Sequence, residues 1–266
     1  MKRSIIAIFC IGILFTSCKN EEKKESISET ELTAKTDQEM ETSNVSLEIE
    51  PISHATAVLK WGDAVIYTDP VGGAKVFEGK DAPSFVLITD IHGDHMDAKT
   101  LEALNLGDTK IIVPQAVKDQ LPKEMEANLI VMNNGDTKEM MGFTIKAVPM
   151  YNLPEAKDAM HTKGRGNGYV VEKEGQRLYI SGDTEDIPEM RDLENIDVAL
   201  VCMNLPYTMT VEDAADGVLA FAPKKVYPYH YRGKDGLADV SKFKELVNKG
   251  SKETEVVQLD WYPEMK

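Results

Sequence analysis

The sequence has little cysteine and no excess of positive charge, and both shortages limit what the protein can be. Its 266 residues include three cysteines, of which Cys10 and Cys18 lie close to the N-terminus. Only Cys202 falls in the region expected to fold, so an internal disulfide is excluded there. The formal net charge is −15 at pH 7. Nucleic-acid binding needs clustered lysine and arginine, so this charge argues against a nucleic-acid partner.

The sequence also lacks a long apolar run near its start. Lys2 and Arg3 precede an apolar stretch at residues 5–15, which is too short for a membrane span. This pattern predicts a secretory signal in residues 1–17. Its Phe-Thr-Ser-Cys ending resembles a bacterial lipobox, which predicts an exported protein with a lipid on Cys18. Such a protein would be anchored to the bacterial envelope, at its periplasmic or outer-membrane face. An ordinary cleaved signal is the alternative.

The stretch at residues 18–44 has almost no large apolar side chains and is rich in Glu, Lys, Ser and Thr. Such a composition cannot bury enough surface to offset the entropy of ordering, so it predicts a disordered linker. Residues 45–266 are then predicted to form one domain. Strands dominate first and helices follow in each half of it. That order predicts an α/β fold, a four-layer αββα sandwich with two sheets face to face and helices outside.

The densest group of chemically active side chains follows an apolar, β-branched run at residues 85–89. Asp90, His92, Asp94 and His95 come directly after this predicted buried strand. Loops at strand ends are where rigid scaffolds hold functional groups. Two imidazoles and two carboxylates within so short a segment indicate a metal site, because both groups are common ligands of Zn²⁺ and related ions.

The chain contains five histidines, namely His54, His92, His95, His161 and His230. Most of them are predicted to lie in loops beside strands rather than on the apolar face of a helix. Any one alone would be explained by a structural hydrogen bond. Together with Asp94 and Asp183, the set favours a metal centre.

These motifs resemble the metallo-β-lactamase fold family of metallohydrolases over most of residues 51–230. The family's HxHxDH motif corresponds to residues 90–95, its bridging aspartate to Asp183, and its last histidine to His230. Further segments are similar to a branch around L-ascorbate-6-phosphate lactonase. They are His54-Ala55-Thr56, Asp69-Pro70, Tyr151-Asn152, residues 161–164, Gly168-Tyr169, residues 179–185, Thr208-Met209, residues 212–215 and residues 228–231.

The resemblance implies two neighbouring cation sites. Their ligands would be Asp90, His92 and His161 at the first site and Asp94, His95 and His230 at the second, with Asp183 bridging. This chain departs from the family at Asp90, where the motif has histidine. A carboxylate there would add negative charge and favour Mn²⁺ or Fe²⁺ over Zn²⁺. Alternatively, Asp90 is not a ligand and the first site is weak or empty.

The resemblance further implies a metal-dependent hydrolase, with two divalent ions, first of all zinc, as its cofactor. A hydroxide held by the ions would attack an ester, lactone or related bond of a small-molecule substrate. Asp94 and Asp183 are the candidate catalytic residues, Asp94 as ligand and orienting base and Asp183 as the group that holds the ions together.

Four further side chains, His54, Lys163, Arg165 and Arg232, are candidate substrate-binding groups, with packing or solvated charge as the alternative for each. Two other functions stay open. One is a phosphodiesterase similar to the N-acylphosphatidylethanolamine phospholipase D-like branch. The other is a non-catalytic metal-binding lipoprotein, which the departure at Asp90 would favour. The oligomeric state stays open as well.

Overall fold

The computed structural model describes residues 46–265. The predicted signal segment, Cys18 and the predicted linker lie outside the described residues. Within the described part of the chain, no helix is both long and apolar enough to cross a lipid bilayer.

Two mixed β-sheets form the framework. The first sheet has six strands that lie side by side in chain order. Its first three strands pair antiparallel and its last four pair parallel. The strands are β1 (Leu47–Ser53), β2 (Thr56–Trp61), β3 (Ala64–Thr68), β4 (Phe85–Leu87), β5 (Lys110–Val113) and β6 (Leu129–Val131).

The second sheet has seven strands in the spatial order β15-β12-β11-β10-β9-β8-β7. Strands β7 to β10 pair antiparallel, whereas β10, β11, β12 and β15 pair parallel. The strands are β7 (Thr137–Met140), β8 (Phe143–Met150), β9 (Gly166–Lys173), β10 (Gln176–Ile180), β11 (Val198–Cys202), β12 (Lys225–Tyr229) and β15 (Glu255–Val256). A separate small hairpin joins β13 (Arg232–Gly233) to β14 (Gly236–Leu237).

The main apolar core lies between the two sheets. Successive strand residues point to opposite faces, so alternate residues of β2, β3 and β4 enter this core. Trp61 and Phe85 from the first sheet both meet Phe143 from the second edge-on, with ring centroids 5.5 and 5.3 Å apart. These contacts fix the sheets face to face.

Helices cover the outer faces of the sheets. They are α1 (Ala98–Ala103), α2 (Gln115–Lys118), α3 (Pro188–Arg191), α4 (Val211–Phe221) and α5 (Val240–Gly250). Leu101 of α1 and Val117 of α2 pack in a second core on the outer side of the first sheet. Phe221 of α4 packs edge-on against Tyr179 of β10, on the outer side of the second sheet. The predicted mixed α/β architecture with facing sheets is confirmed.

Several predicted elements differ from the observed ones at their ends. The strand predicted at residues 85–89 ends at Leu87, because the backbone N–H and hydroxyl of Thr89 bind the carboxylate of Asp69 instead of a neighbouring strand. Strand β9 begins at Gly166, in a segment whose glycines give no apolar alternation, because it pairs with β8 as far as Met150. Strand β7 was not predicted, because its mostly exposed residues show no apolar alternation.

Candidate metal centre

The predicted metal ligands come from loops at the carboxyl ends of strands in both sheets. Four of them follow β4, one follows β10, one follows β12, and one lies in the connection from β8 to β9. Strands β8, β10 and β12 run in the same direction, so the loops after them share one edge of the second sheet. Ligands of open α/β sheets typically bind at such an edge. In chain order the seven residues are Asp90, His92, Asp94, His95, His161, Asp183 and His230.

His95, His230 and Asp183 form the tightest part of this cluster. The Nε2 atoms of the two histidines lie 3.0 Å apart. The Asp183 carboxylate places Oδ2 3.4 Å from His95 Nε2 and Oδ1 3.3 Å from His230 Nε2. All three side chains are buried, so solvent is largely excluded from the space between these atoms.

A buried carboxylate, that of Asp69, holds the His95 ring from the side that faces away from His230. Nδ1 of His95 lies 2.9 Å from Oδ2 of Asp69, which is fully buried. A carboxylate only accepts, so Nδ1 donates, and Nε2 is the nitrogen that faces His230 and Asp183 and that would bind a cation after releasing its own proton. Thr89 fixes Asp69 in turn, donating from its backbone N–H and its hydroxyl, both over 2.7 Å. Such carboxylate–histidine pairs orient metal ligands.

Asn152 orients His161 in a similar way. The side-chain amide of Asn152 donates to the carbonyl oxygen of Tyr207 over 2.8 Å, so its Oδ1 must point the other way. That oxygen accepts the backbone N–H of His161 at 2.8 Å and faces its Nδ1 at 3.2 Å. Nε2 of His161 is thereby directed at Asp183 Oδ2, 3.2 Å away.

The side chains present fit a divalent cation. Nε2 of His161 and Oδ1 of Asp183 are buried and make no hydrogen bond of acceptable geometry among the described residues, although His161 Nε2 lies 3.2 Å from Asp183 Oδ2 and Asp183 Oδ1 lies 3.3 Å from His230 Nε2. Buried polar atoms are normally paired, so atoms this close without a hydrogen bond between them indicate that an ion can bind among them. Imidazole nitrogens and carboxylate oxygens together are the donor set of zinc and related ions.

The acidic groups of the cluster are strongly perturbed. Burial would raise the pKa of Asp183, but the neighbouring His230 and His95 hold that pKa well below its usual range. Asp94 shows the same balance: burial raises its pKa, and the nearby His230 and His95 lower it further than burial raises it. Burial would lower the pKa of His95, yet Asp183 and Asp69 raise it well above its usual range. The site therefore concentrates negative charge against imidazole rings.

Asp90 differs from the other predicted ligands because a guanidinium holds it. Arg165 donates from Nε to Oδ1 over 3.2 Å and from Nη2 to Oδ2 over 2.9 Å. His92 Nδ1 lies 2.7 Å from the same Oδ2, and His161 Nε2 lies 3.9 Å from it. Asp90, His92 and His161 thus form the predicted first cation site, in which the carboxylate is already paired with a guanidinium.

The cluster forms the floor of an open cleft of about 410 Å³, a volume suited to a small molecule. Asp94, His161 and Asp183 line it from below, and His54 and Arg232 line it from the side. Asp94 is the most exposed of the floor carboxylates, with 39 % of its side chain accessible.

His54 packs against the cluster from the cleft wall, with its ring centroid 4.5 Å from that of His230. Burial, followed by the nearby His230 and Arg232, lowers the pKa of His54 to about 3, so the ring is neutral at pH 7. The Arg232 guanidinium donates to its Nε2. Nδ1 therefore carries the proton and donates to the hydroxyl of Tyr262 over 2.9 Å.

Two of the four predicted substrate-binding groups are engaged elsewhere. Lys163 lies 2.9 Å from Glu189 and 3.2 Å from Glu155, and its ammonium sits over the ring of Tyr151. Arg165 binds Asp90, as described above. In the described part of the chain, neither of these cations lines the cleft, whereas His54 and Arg232 both do.

The supporting residues Asp69 and Asn152 were not predicted to have a role in the site, although both lie in segments that carry the family resemblance. A signal for Asp69 was available. It follows β3 directly, and β3 pairs parallel to β4 with Thr68 opposite Leu87. Its side chain therefore had to emerge beside the loop that carries His95. Asn152 lies in an irregular connection with no pattern that reveals its partner.

Comparison with known protein families matches residues 48–230 to a domain described as the beta-lactamase superfamily domain. A protein of Pyrococcus horikoshii described as a UPF0173 metal-dependent hydrolase is 33 % identical over 211 residues, which cover 77 % of this chain and 90 % of the relative. One from Thermus thermophilus with the same description is 29 % identical over 227 residues, covering 80 % of this chain and 100 % of that protein.

Solved structures give the same picture. A proposed metal-dependent hydrolase from Parabacteroides distasonis superimposes with a TM-score of 0.72 at 36 % sequence identity, covering 81 % of this chain and 94 % of that one. Igni18, a metallo hydrolase from Ignicoccus hospitalis, gives a TM-score of 0.68 at 23 % identity, over 80 % of this chain and 94 % of that one. At this identity the second likeness concerns the fold alone.

Replacing Asp69 with Asn tests the support of His95. The variant Asp69→Asn keeps the shape and the acceptor for Thr89 but removes the charge that holds the His95 ring. We expect Zn²⁺ affinity to fall about 10-fold to 100-fold, measured by competition with a chromogenic chelator. Asp81→Asn, at a carboxylate with 73 % of its side chain exposed, is the matched control and should leave affinity unchanged. Unchanged affinity in Asp69→Asn would contradict this role.

Proposed function

Because this chain belongs to the beta-lactamase superfamily of metal-dependent hydrolases, we propose that it hydrolyses an ester, lactone or related bond in a small anionic molecule. Membership of that family disfavours the non-catalytic alternative. The observation that carries the proposal is the convergence of three imidazoles on Asp183, a carboxylate that lines an open cleft.

The proposed metal ligands are the seven residues of the cluster. A bound divalent ion would supply polarisation of the scissile group and activation of the attacking water. Zinc is the first candidate because four of the seven ligands are imidazoles, and Mn²⁺ or Fe²⁺ is the alternative. Asp183 would hold the ions together, because its two oxygens lie close to different histidines, Oδ2 to His161 and Oδ1 to His230.

Asp94 is the proposed proton acceptor. It is ionised at neutral pH, since His230 and His95 hold its pKa low, and it reaches the cleft. Its Oδ2 lies 3.4 Å from His230 Nε2, whereas Oδ1 lies 4.0 Å from His95 Nε2. Oδ1 can therefore take a proton from the attacking water while Oδ2 remains fixed.

The anionic character of the substrate is proposed from Arg232. Among the described residues, this guanidinium makes no ion pair with a carboxylate, and its neighbours are the neutral His54 and the ring of Tyr262. A cation beside a cleft, without a counter-ion, suits a carboxylate or phosphate group on the substrate. A phosphorylated lactone, the substrate class of the L-ascorbate-6-phosphate lactonase-like branch, satisfies both requirements. A phosphodiester is the alternative.

Metal removal tests the reaction class. Chelation should reduce turnover of lactone or aryl-ester substrates about 100-fold or more, and added Zn²⁺ should restore it. His95→Ala and Asp183→Ala should show the same loss without recovery. Bis-p-nitrophenyl phosphate is the comparison substrate, and preferential turnover of it would replace the lactone proposal with the phosphodiesterase. Full activity after chelation, or in either variant, would exclude this site.

Arg232→Gln tests substrate recognition. We expect KM for an anionic ester to rise about tenfold with little change in kcat, because a charge-assisted hydrogen bond is lost. KM for a neutral ester should stay unchanged. Lys234→Gln makes the same charge change at an exposed neighbour and should alter neither constant. An equal rise in KM for both substrates would contradict anion recognition.

We also propose, from the sequence pattern alone, that the chain is exported and lipid-anchored through Cys18. Cys18→Ser should move the protein from the membrane fraction to the soluble fraction of bacteria that express it. Mass spectrometry of the wild-type N-terminus should show a lipidated Cys18. An unmodified cysteine, or a processing site elsewhere, would refute the anchor and favour an ordinary signal.

A further inference from the structure

We propose that Arg165 makes the two cation sites unequal, by withholding Asp90 from the first site so that the second fills at lower metal concentration. The first site comprises Asp90, His92 and His161, and the second is centred on His95 and His230. This inference rests on the metal dependence proposed above. It concerns how many ions the resting protein holds and which residue sets that number.

The pairing of Arg165 with Asp90 occupies both carboxylate oxygens. The two donated bonds, over 3.2 and 2.9 Å, match the fork of a guanidinium to the two oxygens of a carboxylate. Asp90 is fully buried and 19 % of the Arg165 side chain is exposed. The backbone N–H of Arg165 donates to the carbonyl oxygen of Thr162, which fixes the residue in the turn after His161. The fold therefore holds the Arg165–Asp90 pair in place.

A second donor competes for the same carboxylate. His92 Nδ1 lies 2.7 Å from Asp90 Oδ2, a distance that requires a proton between them. A cation at the first site would need His92 to lose that proton and Asp90 to share Oδ2 with Arg165. Metal binding that must displace protons and existing hydrogen bonds is weaker than binding to free lone pairs.

The second site has no guanidinium beside its carboxylates. In the described part of the chain, neither Asp183 nor Asp94 makes an ion pair with a lysine or arginine. A cation there would still displace the proton that Nε2 of His95 and Nε2 of His230 share over 3.0 Å, but it would break no bond to a fixed positive charge. A cation there meets carboxylates and imidazoles alone.

Charge adds to the difference between the sites. A guanidinium is protonated at every accessible pH, so an ion bound beside Asp90 has a permanent positive neighbour. Repulsion between like charges is larger in a buried site than in water. Arg165 also cancels the charge that Asp90 brings to the first site. Asp90 and Arg165 together then carry no net charge, as is also true of the neutral imidazole that the family motif has at this position.

The test is a Zn²⁺ titration of the metal-depleted full chain, with dissociation constants from chelator competition and ion counts from native mass spectrometry. In the wild type, the first equivalent of Zn²⁺ should bind at least about tenfold more tightly than the second. Arg165→Met should lower the dissociation constant of the weaker-binding ion about tenfold and leave that of the tighter-binding ion unchanged. Adding Asp90→Ala to that variant should abolish the gain, which assigns the weaker site to Asp90.

Three further variants sharpen the result. Arg165→Lys keeps the charge and should keep the two sites unequal. Arg165→Gln is a second neutral variant that can give Asp90 only one uncharged donor in place of two charged ones, so it should narrow the gap in the same direction as Arg165→Met, even if that variant folds poorly. Arg191→Met removes a guanidinium paired with Asp186 and Asp216, outside the site, and should change nothing.

The outcomes separate this inference from the proposed function. Two equivalents bound with equal constants in the wild type, or an unchanged gap in both neutral variants, would overturn the role of Arg165 and leave the hydrolase proposal intact. No zinc bound by the wild type at millimolar concentration would overturn both.

Discussion

The rest of the site depends on one close contact: Nε2 of His95 and Nε2 of His230 lie 3.0 Å apart, and the carboxylate of Asp183 lies against both. Nδ1 of His95 donates to Asp69, so Nε2 is the nitrogen that faces the gap. A buried gap lined by imidazoles and a carboxylate needs positive charge inside it, which protons on the imidazoles can supply and a divalent cation would supply in their place. A divalent cation satisfies all of these atoms at once. The histidines are therefore oriented for metal binding before an ion arrives, His95 by Asp69 and His161 by Asn152.

The three cations predicted to bind substrate lie at different places around the cleft, and each has a different role. Lys163 is tied to Glu155 and Glu189 beside the site. Arg165 neutralises Asp90 beneath the cleft. Arg232, alone of the three, faces the cleft. A chain with strong negative net charge can thus offer one local positive group to an anionic substrate, while another positive group adjusts the metal centre itself.

Much of the framework follows from sequence pattern, because buried parallel strands read as continuous apolar runs. The apolar run at residues 85–89 predicted a buried strand, and the observed β4 lies within it. The seven ligands could be gathered because imidazole and carboxylate at strand ends are chemically distinctive. The partner of Arg165 could not be predicted, since Asp90 lies far away in sequence and the pair depends on how two loops meet. Asn152 was missed for the same reason.

Crystals grown with Zn²⁺ and measured on both sides of the zinc absorption edge would show whether an ion binds between His95, His230 and Asp183. We expect an anomalous peak about 2.0–2.2 Å from Nε2 of His95 and of His230 and from a carboxylate oxygen of Asp183. Zinc bound only elsewhere on the protein, with these side chains left as close as they are here, would contradict this expectation.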